Sequence, residues 1–466
     1  MLHYLGFTFS VLALIIIIRT KKVSTAITVL LTLSLWNIPL VMLGNSATAG
    51  IFPVDIGLAV ALVNFGLKYR HQLQSSLKSK LVYKTFLLLA LYAILRTGVA
   101  LITDDYGYYN KFLMYGIIRW FTFVFLLIFF CQRLRKKDQV RLLIKFGWVL
   151  LFYLFFAVLH QFSVIDLSGL VETGHSSVYQ SSYFIKGIYR SYLGNNSASI
   201  GFIASVGILL SLLLAGYAKW KYKAILLFTM ASTALINSGS RTDSITILIC
   251  FAWALIFPKS ILIRFLVKKV IPVFLVIISI SWFAFGDTVE IPGLTRLVNT
   301  NFIGQYHGTT DGTLNYRQIH WGIAQRYLFD NPEKNLFGFG VNGYRLLSVK
   351  GYGSMGYGHN TFMHTWVELG LIGLSLLIVW LILLLHYLFS LANNKRSSPF
   401  ARNLAIITLV LFSQRILSGL TIDTFFATDN MLTMNVFILF FFGFTLAQVP
   451  QKKGITFKGK INQCHD

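Results

Sequence analysis

The chain has 466 residues, 56% of them hydrophobic and only 12% charged, with 41 Lys and Arg against 16 Asp and Glu for a net charge of +25. A soluble domain carries about 25% charged residues, so this composition excludes a soluble protein and points to an integral membrane protein. The cations stand in short clusters between apolar runs, as in cytoplasmic loops, and no basic stripe interleaved with aromatics marks a folded nucleic-acid module, so nucleic acid is excluded as a partner.

The apolar runs that could cross a hydrocarbon core of about 30 Å fall at 4–18, 24–43, 51–67, 82–102, 112–131, 143–164, 196–216, 224–238, 243–257, 270–286, 362–386, 404–421 and 431–447. They predict an all-α integral membrane protein with about 12–13 transmembrane helices. The first run follows no basic segment and ends in no small-residue cleavage site, so it reads as a retained helix. Placing the connections 19–22, 68–80, 132–145, 217–223, 258–269, 391–403 and the tail on one side gathers roughly 27 of the 41 Lys and Arg there. About 10 lie on the other side and about 4 within spans. The basic side is therefore read as cytoplasmic, in a multi-pass protein of the cytoplasmic membrane.

The chain divides into residues 1–195 (about six N-terminal spans plus an outer loop), 196–286 (central spans), 287–361 (one large extracytoplasmic loop), 362–447 (C-terminal spans) and 448–466 (a cytoplasmic tail). Within the large loop, Leu314 to Tyr327 has apolar residues near helical spacing and is followed by Asp330-Asn331-Pro332 as a stop. It predicts a short helix at the outer membrane surface, a common place for Trp and Tyr. Gly338 to Gly343 formally matches GxGxxG, but no strand or βαβ unit precedes it, so no dinucleotide cofactor is expected. Its glycines fit tight turns beside a substrate groove. The three cysteines, Cys131, Cys250 and Cys464, have no metal-ligand spacing.

Two constellations carry the chemistry. Arg96, Arg119 and Arg415 fall within spans near their outer ends, Arg190 and Arg241 at loop–helix junctions, and Arg317 on the amphipathic segment. A cation within a span is costly, and each alone could snorkel or pair with an acid. With so few acids in the chain, the set as a whole points to an anionic ligand, and planar guanidiniums suit a lipid-linked phosphate or pyrophosphate. The second constellation is His359-Asn360 with His364 and Glu368. His359, at a glycine-rich junction, suits a general base acting on a sugar hydroxyl. His364 and Glu368 are four residues apart and share a helical face, which fits either a functional pair or a helix histidine satisfied by its neighbour. The spacing of His359, His364 and Glu368 is not that of a zincin, which leaves a metal site there as a weak alternative.

Taken together, Gly239-Ser240-Arg241-Thr242, Arg317 with Trp321 ahead of Pro332, Gly338-Phe339-Gly340, His359-Asn360 and Glu368-Leu369-Gly370 resemble the O-antigen ligase/polymerase superfamily. That superfamily takes in lipopolysaccharide O-antigen ligases and the Wzy-type polymerases of O-antigen, capsule and exopolysaccharide. The resemblance runs from about Arg190 to Gly373. It implies a GT-C-like fold whose large extracytoplasmic loop carries short helices. It also implies inverting, metal-independent glycosyl transfer from undecaprenyl pyrophosphate on the outer face, with no cofactor. His359 would be the base, and Arg190, Arg241 and Arg317 would hold the pyrophosphate. Arg96, Arg119 and Arg415 join the pyrophosphate set on the burial argument alone, and Asn360, His364 and Glu368 support the base. The expected partners are an undecaprenyl-pyrophosphate-linked oligosaccharide, membrane lipid and a chain-length regulator. Polymerase is the first reading, ligase the alternative, and a lipid-linked glycan transporter or flippase the alternative of another class.

Overall fold

The computed structural model describes residues 2–35, 41–42, 50–51, 53–66, 81–104, 107, 110–130, 136–162, 164–165, 184–185, 188–189, 197–215, 220–238, 240–254, 272, 314–349, 360–395 and 397–420. Within these the protein is all-α apart from two ribbons of two-residue strands, Val41–Met42 with Gly50–Ile51 and Phe184–Ile185 with Ile188–Tyr189, both antiparallel. The helices in chain order are α1 (Leu2–Arg19), α2 (Val23–Leu35), α3 (Pro53–Ala61, continued by a π turn over Leu62–Gly66), α4 (Leu81–Thr103), α5 (Asn110–Phe130), α6 (Lys136–Gln161) and α7 (Ser197–Ala215). They are followed by α8 (Lys221–Ser238), α9 (Arg241–Ala254), α10 (Leu314–Asp330), α11 (Pro332–Phe337), α12 (Leu346–Val349), α13 (Thr361–Asn393) and α14 (Pro399–Ser418). The expected spans 270–286 and 431–447 lie outside the described residues.

Among the described residues four helices are long and apolar enough to cross a membrane: Leu81–Thr103, Gln139–Gln161, Thr361–Asn393 and Pro399–Ser418. Shorter apolar helices occupy Phe7–Arg19, Val23–Leu35, Pro53–Phe65 and Ile200–Ala215. Sidedness within a helix follows a membrane pattern. On α4, Leu88, Leu91, Leu95, Val99 and Ile102 are exposed at helical spacing, while Phe86, Leu89, Ala93, Arg96, Thr97 and Ala100 face inward. Apolar side chains cover the outside of the helix along its middle, and Thr85, Arg96 and Thr97 are buried, as a lipid solvent favours.

Helix α7 is buried on every side from Ile200 to Leu214 and forms the centre of the bundle, as expected of a helix that is apolar all round. It packs on α8, α6, α9 and α14. A second group joins α4 to α5 and α13, and α13 to α14. The amphipathic segment is helical as expected and ends at Asp330, at the expected stop, and a separate short helix, α11, begins directly after Asn331. Pro332 stands in the opening turn of α11, where its missing N–H costs nothing.

Candidate functional site

Helix α13 is two helices joined end to end. Gly370 has φ 67° and ψ −172°, so its backbone leaves the helix and the ladder breaks. The carbonyls just before it need new donors, and the short segment after α11 supplies them. Phe339 N–H donates to Val367 O (3.0 Å) and Gly340 N–H to Glu368 O (2.8 Å). The Tyr92 hydroxyl of α4 donates to Leu369 O at 3.1 Å and lies 3.3 Å from Phe337 O. Gly338 is also left-handed, at φ 76°. A Cβ on Gly338 would lie 2.3 Å from Glu368 O, and one on Gly370 would lie 2.2 Å from Leu336 O. The two glycines thus let two backbones touch.

This segment dips into the bundle. At one end Lys334 pairs with Asp104 at 2.6 Å, just past the C-terminus of α4. At the other end Arg96, eight residues earlier on α4, donates to Phe337 O (3.1 Å) and Gly338 O (3.0 and 2.6 Å). Eight helical residues correspond to a descent of about 12 Å. The chain then climbs between α4 and α5, with Val341 N–H donating to Thr97 Oγ1 (3.0 Å) and Asn342 Nδ2 to Phe112 O (2.7 Å). Non-helical backbone at such depth is tolerated only where protein encloses it and satisfies its polar groups.

The half-helix above the break, Thr361–Leu369, is fixed at its head by Asn360. The Asn360 side chain is the N-cap, with Oδ1 accepting from Phe362 N–H (2.9 Å) and Met363 N–H (3.1 Å). Its Nδ2 donates to Leu420 O (3.1 Å), and Thr361 N–H donates to Gly419 O (2.8 Å). The head of α13 is therefore tied to the foot of α14. One turn down, His364 Nε2 stands 2.8 Å from Glu368 Oε1, both side chains being buried, and Tyr344 stacks on the imidazole with centroids 5.4 Å apart. The angles of this contact are poor for a hydrogen bond, and it is an ion pair only while the imidazole is protonated. A small cleft beside this pair is lined by Leu89, Trp120, Thr365, Leu369 and Leu377.

The same foot of α14 meets the head of α9. Ser240, Arg241, Thr242 and Asp243 open that helix, and Ser240 Oγ donates to Asp243 Oδ2 at 2.6 Å. Arg415 of α14 places Nη1 3.8 Å from Asp243 Oδ1 and lies over the Phe202 ring at 4.3 Å. Gln414 donates to Ser205 Oγ (2.9 Å), and Thr246 contacts Ser418 across 3.3 Å. Two helix heads, those of α9 and α13, thus converge on one helix foot. Helix heads carry partial positive charge and free N–H groups, which favour an anion nearby.

Of the expected site residues, His359 and Arg190 lie outside the described residues, as does the side chain of Arg241. The structure brings the backbone at Arg241, the side chain of Arg415 and the cap Asn360 to one end of the bundle. Arg317 is half-buried in the first turn of α10. Arg96 is engaged with backbone carbonyls. Arg119 stands apart: Nη1 meets Asp55 Oδ1 at 2.7 Å, and Nε donates to the Tyr115 hydroxyl at 2.7 Å, with 1% of the arginine exposed. The premise that the buried arginines lack carboxylates therefore fails for Arg119 and Arg415. Their acids, Asp55 and Asp243, lie inside the apolar runs 51–67 and 243–257. Asp243 had one signal, its position three residues after Ser240 in a capping pattern. Among the described residues no group of three or more His, Cys, Asp and Glu could hold a metal ion.

The fold and these contacts define a multi-pass membrane protein with a polar end built from helix termini. Residues 225–378 match the family model Wzy_C, described as O-Antigen ligase. The matched stretch is about a third of the chain and takes in Arg241, Arg317, Gly338, Asn360, His364, Glu368 and Gly370, whereas Arg96, Arg119, Arg190 and Arg415 fall outside it. No curated protein matches the chain.

Proposed function

We propose that this protein is a glycosyltransferase of the O-antigen ligase type, moving a glycan from a polyprenyl pyrophosphate carrier to an acceptor hydroxyl at the outer face of the cytoplasmic membrane. The observation that carries the reading is the match over 225–378. Its description favours the ligase over the polymerase. The convergence of the α9 and α13 heads inside that stretch supports the same placement.

In the reaction, the acceptor oxygen attacks the anomeric carbon as the bond from that carbon to the pyrophosphate oxygen breaks. Attack from the face opposite the leaving group inverts the centre. His359, one residue before the Asn360 cap, takes the hydroxyl proton. The electron pair leaves with the pyrophosphate, and its growing charge is stabilised by Arg190, Arg241 and Arg317 with the two helix heads. Arg96, Arg119 and Arg415 act from behind, because their guanidiniums are already engaged. A GT-C-like arrangement with the 287–361 loop facing outward belongs to this same reading.

The test is His359→Ala at wild-type expression in a strain without its own copy, reading glycan on the carrier lipid and on the final acceptor. Full-length polymer stranded on the carrier establishes the ligase. Single repeats accumulating on the carrier establish a polymerase instead. Normal glycan in both places overturns His359 as the base.

A further inference from the structure

Among the described residues no carboxylate pairs with Arg96, and its surroundings supply a different counter-charge. It is 7% exposed, and Nε and Nη2 point at the carbonyls of Phe337 and Gly338. Those carbonyls are the foot of α11, where unsatisfied C=O groups carry partial negative charge. The foot of the half-helix Thr361–Leu369 lies against the same segment, held by Phe339 N–H, Gly340 N–H and the Tyr92 hydroxyl. One guanidinium therefore serves the place where two helix ends meet.

We propose that Arg96 is a positioning residue. It locks the segment Phe337–Gly340 into the break at Gly370 and so fixes the half-helix that carries Asn360, His364 and Glu368. This rests on the proposed transferase reading for its functional consequence, but not for its structural one. The half-helix is separated from the rest of α13 by a non-helical residue, so continuous helical bonding does not hold it in place. Its position is set from the side by the crossing and from above by the ties to Gly419 and Leu420. Tyr92 is the second member of the clamp, touching Leu369 O on one chain and Phe337 O on the other.

The experiment is amide hydrogen exchange on the full chain in detergent micelles, without substrate, comparing wild type with Arg96→Gln, Arg96→Lys and Tyr92→Phe. The clamp predicts that amides of 339–340 and 361–369 exchange about tenfold faster in Arg96→Gln, with those of α7 unchanged. Arg96→Lys recovers part of the protection, and Tyr92→Phe shows a smaller rise at the same amides. In a transfer assay the same variants lower kcat while leaving the donor KM within about twofold. Unchanged exchange with a raised donor KM overturns the proposal and makes Arg96 a ligand of the pyrophosphate. Should Arg96→Gln fail to fold, Tyr92→Phe decides: unchanged exchange at 361–369 overturns the clamp. If wild type shows no transfer at all, the transferase reading fails while the exchange result still judges the clamp.

Discussion

Replacing Gly370 by Ala tests the crossing most directly. The backbone there, at φ 67° and ψ −172°, lies in a region open almost only to glycine, so any side chain costs about 1–3 kcal/mol before contacts are considered. The new Cβ would then stand 2.2 Å from Leu336 O, 2.4 Å from Leu336 C and 2.5 Å from Phe337 N. All three are backbone atoms of α11, so no side chain can rotate away and α11 itself must move. Moving it breaks the bonds from Phe339, Gly340 and Tyr92 to the freed carbonyls, at a net cost of about 0.5–1.5 kcal/mol each. The total, about 2.5–7.5 kcal/mol, is a large share of the 5–15 kcal/mol that separates folded from unfolded states of a typical domain. The assay is the monodisperse fraction left after graded heating in detergent. Gly322→Ala is the control: it lies inside α10 with nothing within 4 Å of a new Cβ, so helix propensity alone predicts a gain of about 0.5–1 kcal/mol. Gly370→Ala should fail at a markedly lower temperature than wild type, and Gly322→Ala at the same or a higher one. Wild-type heat resistance and expression for Gly370→Ala would refute the backbone contact on which the site description rests.

Two further predictions concern buried charge. Asp243→Asn leaves Arg415 buried without its carboxylate and should destabilise by about 3–5 kcal/mol, whereas Asp243→Asn with Arg415→Gln should recover most of the loss in the same heating assay. His320 of α10 is pushed below its ordinary pKa by burial. The folded protein thus holds the neutral imidazole, and the unfolded chain takes up the proton first, below about pH 6.5. Heat resistance should be full above that value and fall as the pH drops through the folded pKa, and His320→Gln should flatten the change.

The helices were legible because apolar length and period are local properties. The run 82–102 is α4 at Leu81–Thr103, and the run 196–216 is α7 at Ser197–Ala215. The break in α13 was not legible. Leu-Gly-Leu-Ile-Gly inside an apolar run costs a helix only about 1 kcal/mol per glycine, which a span of that length absorbs. Only the arrival of Phe337–Gly340 from thirty residues earlier turns Gly370 into a break, and no window along the chain contains both partners. The motif residues themselves were visible: Gly338-Phe339-Gly340 and Glu368-Leu369-Gly370 stood out as a resemblance. What the structure adds is that the two motifs are the two halves of one contact.

The buried arginines show why a charge count misleads inside a membrane protein. Arg119 is balanced by Asp55, Arg415 faces Asp243, and Arg96 by the carbonyl ends around Phe337 and Gly338. Each guanidinium is compensated within the bundle, so each can be buried without drawing in a ligand. A cation compensated in this way also contributes little field to a substrate some distance away. The charge available to a pyrophosphate must come from groups at the bundle's end, where helix heads and loop cations meet. Arg241 opens one such head, and Asn360 caps the other. The buried set earns its place differently: Arg415 and Asp243 join α14 to α9, and Arg96 fixes the half-helix of α13. The residues proposed to bind and the residues that hold them in place are then different arginines, separated by burial rather than by sequence.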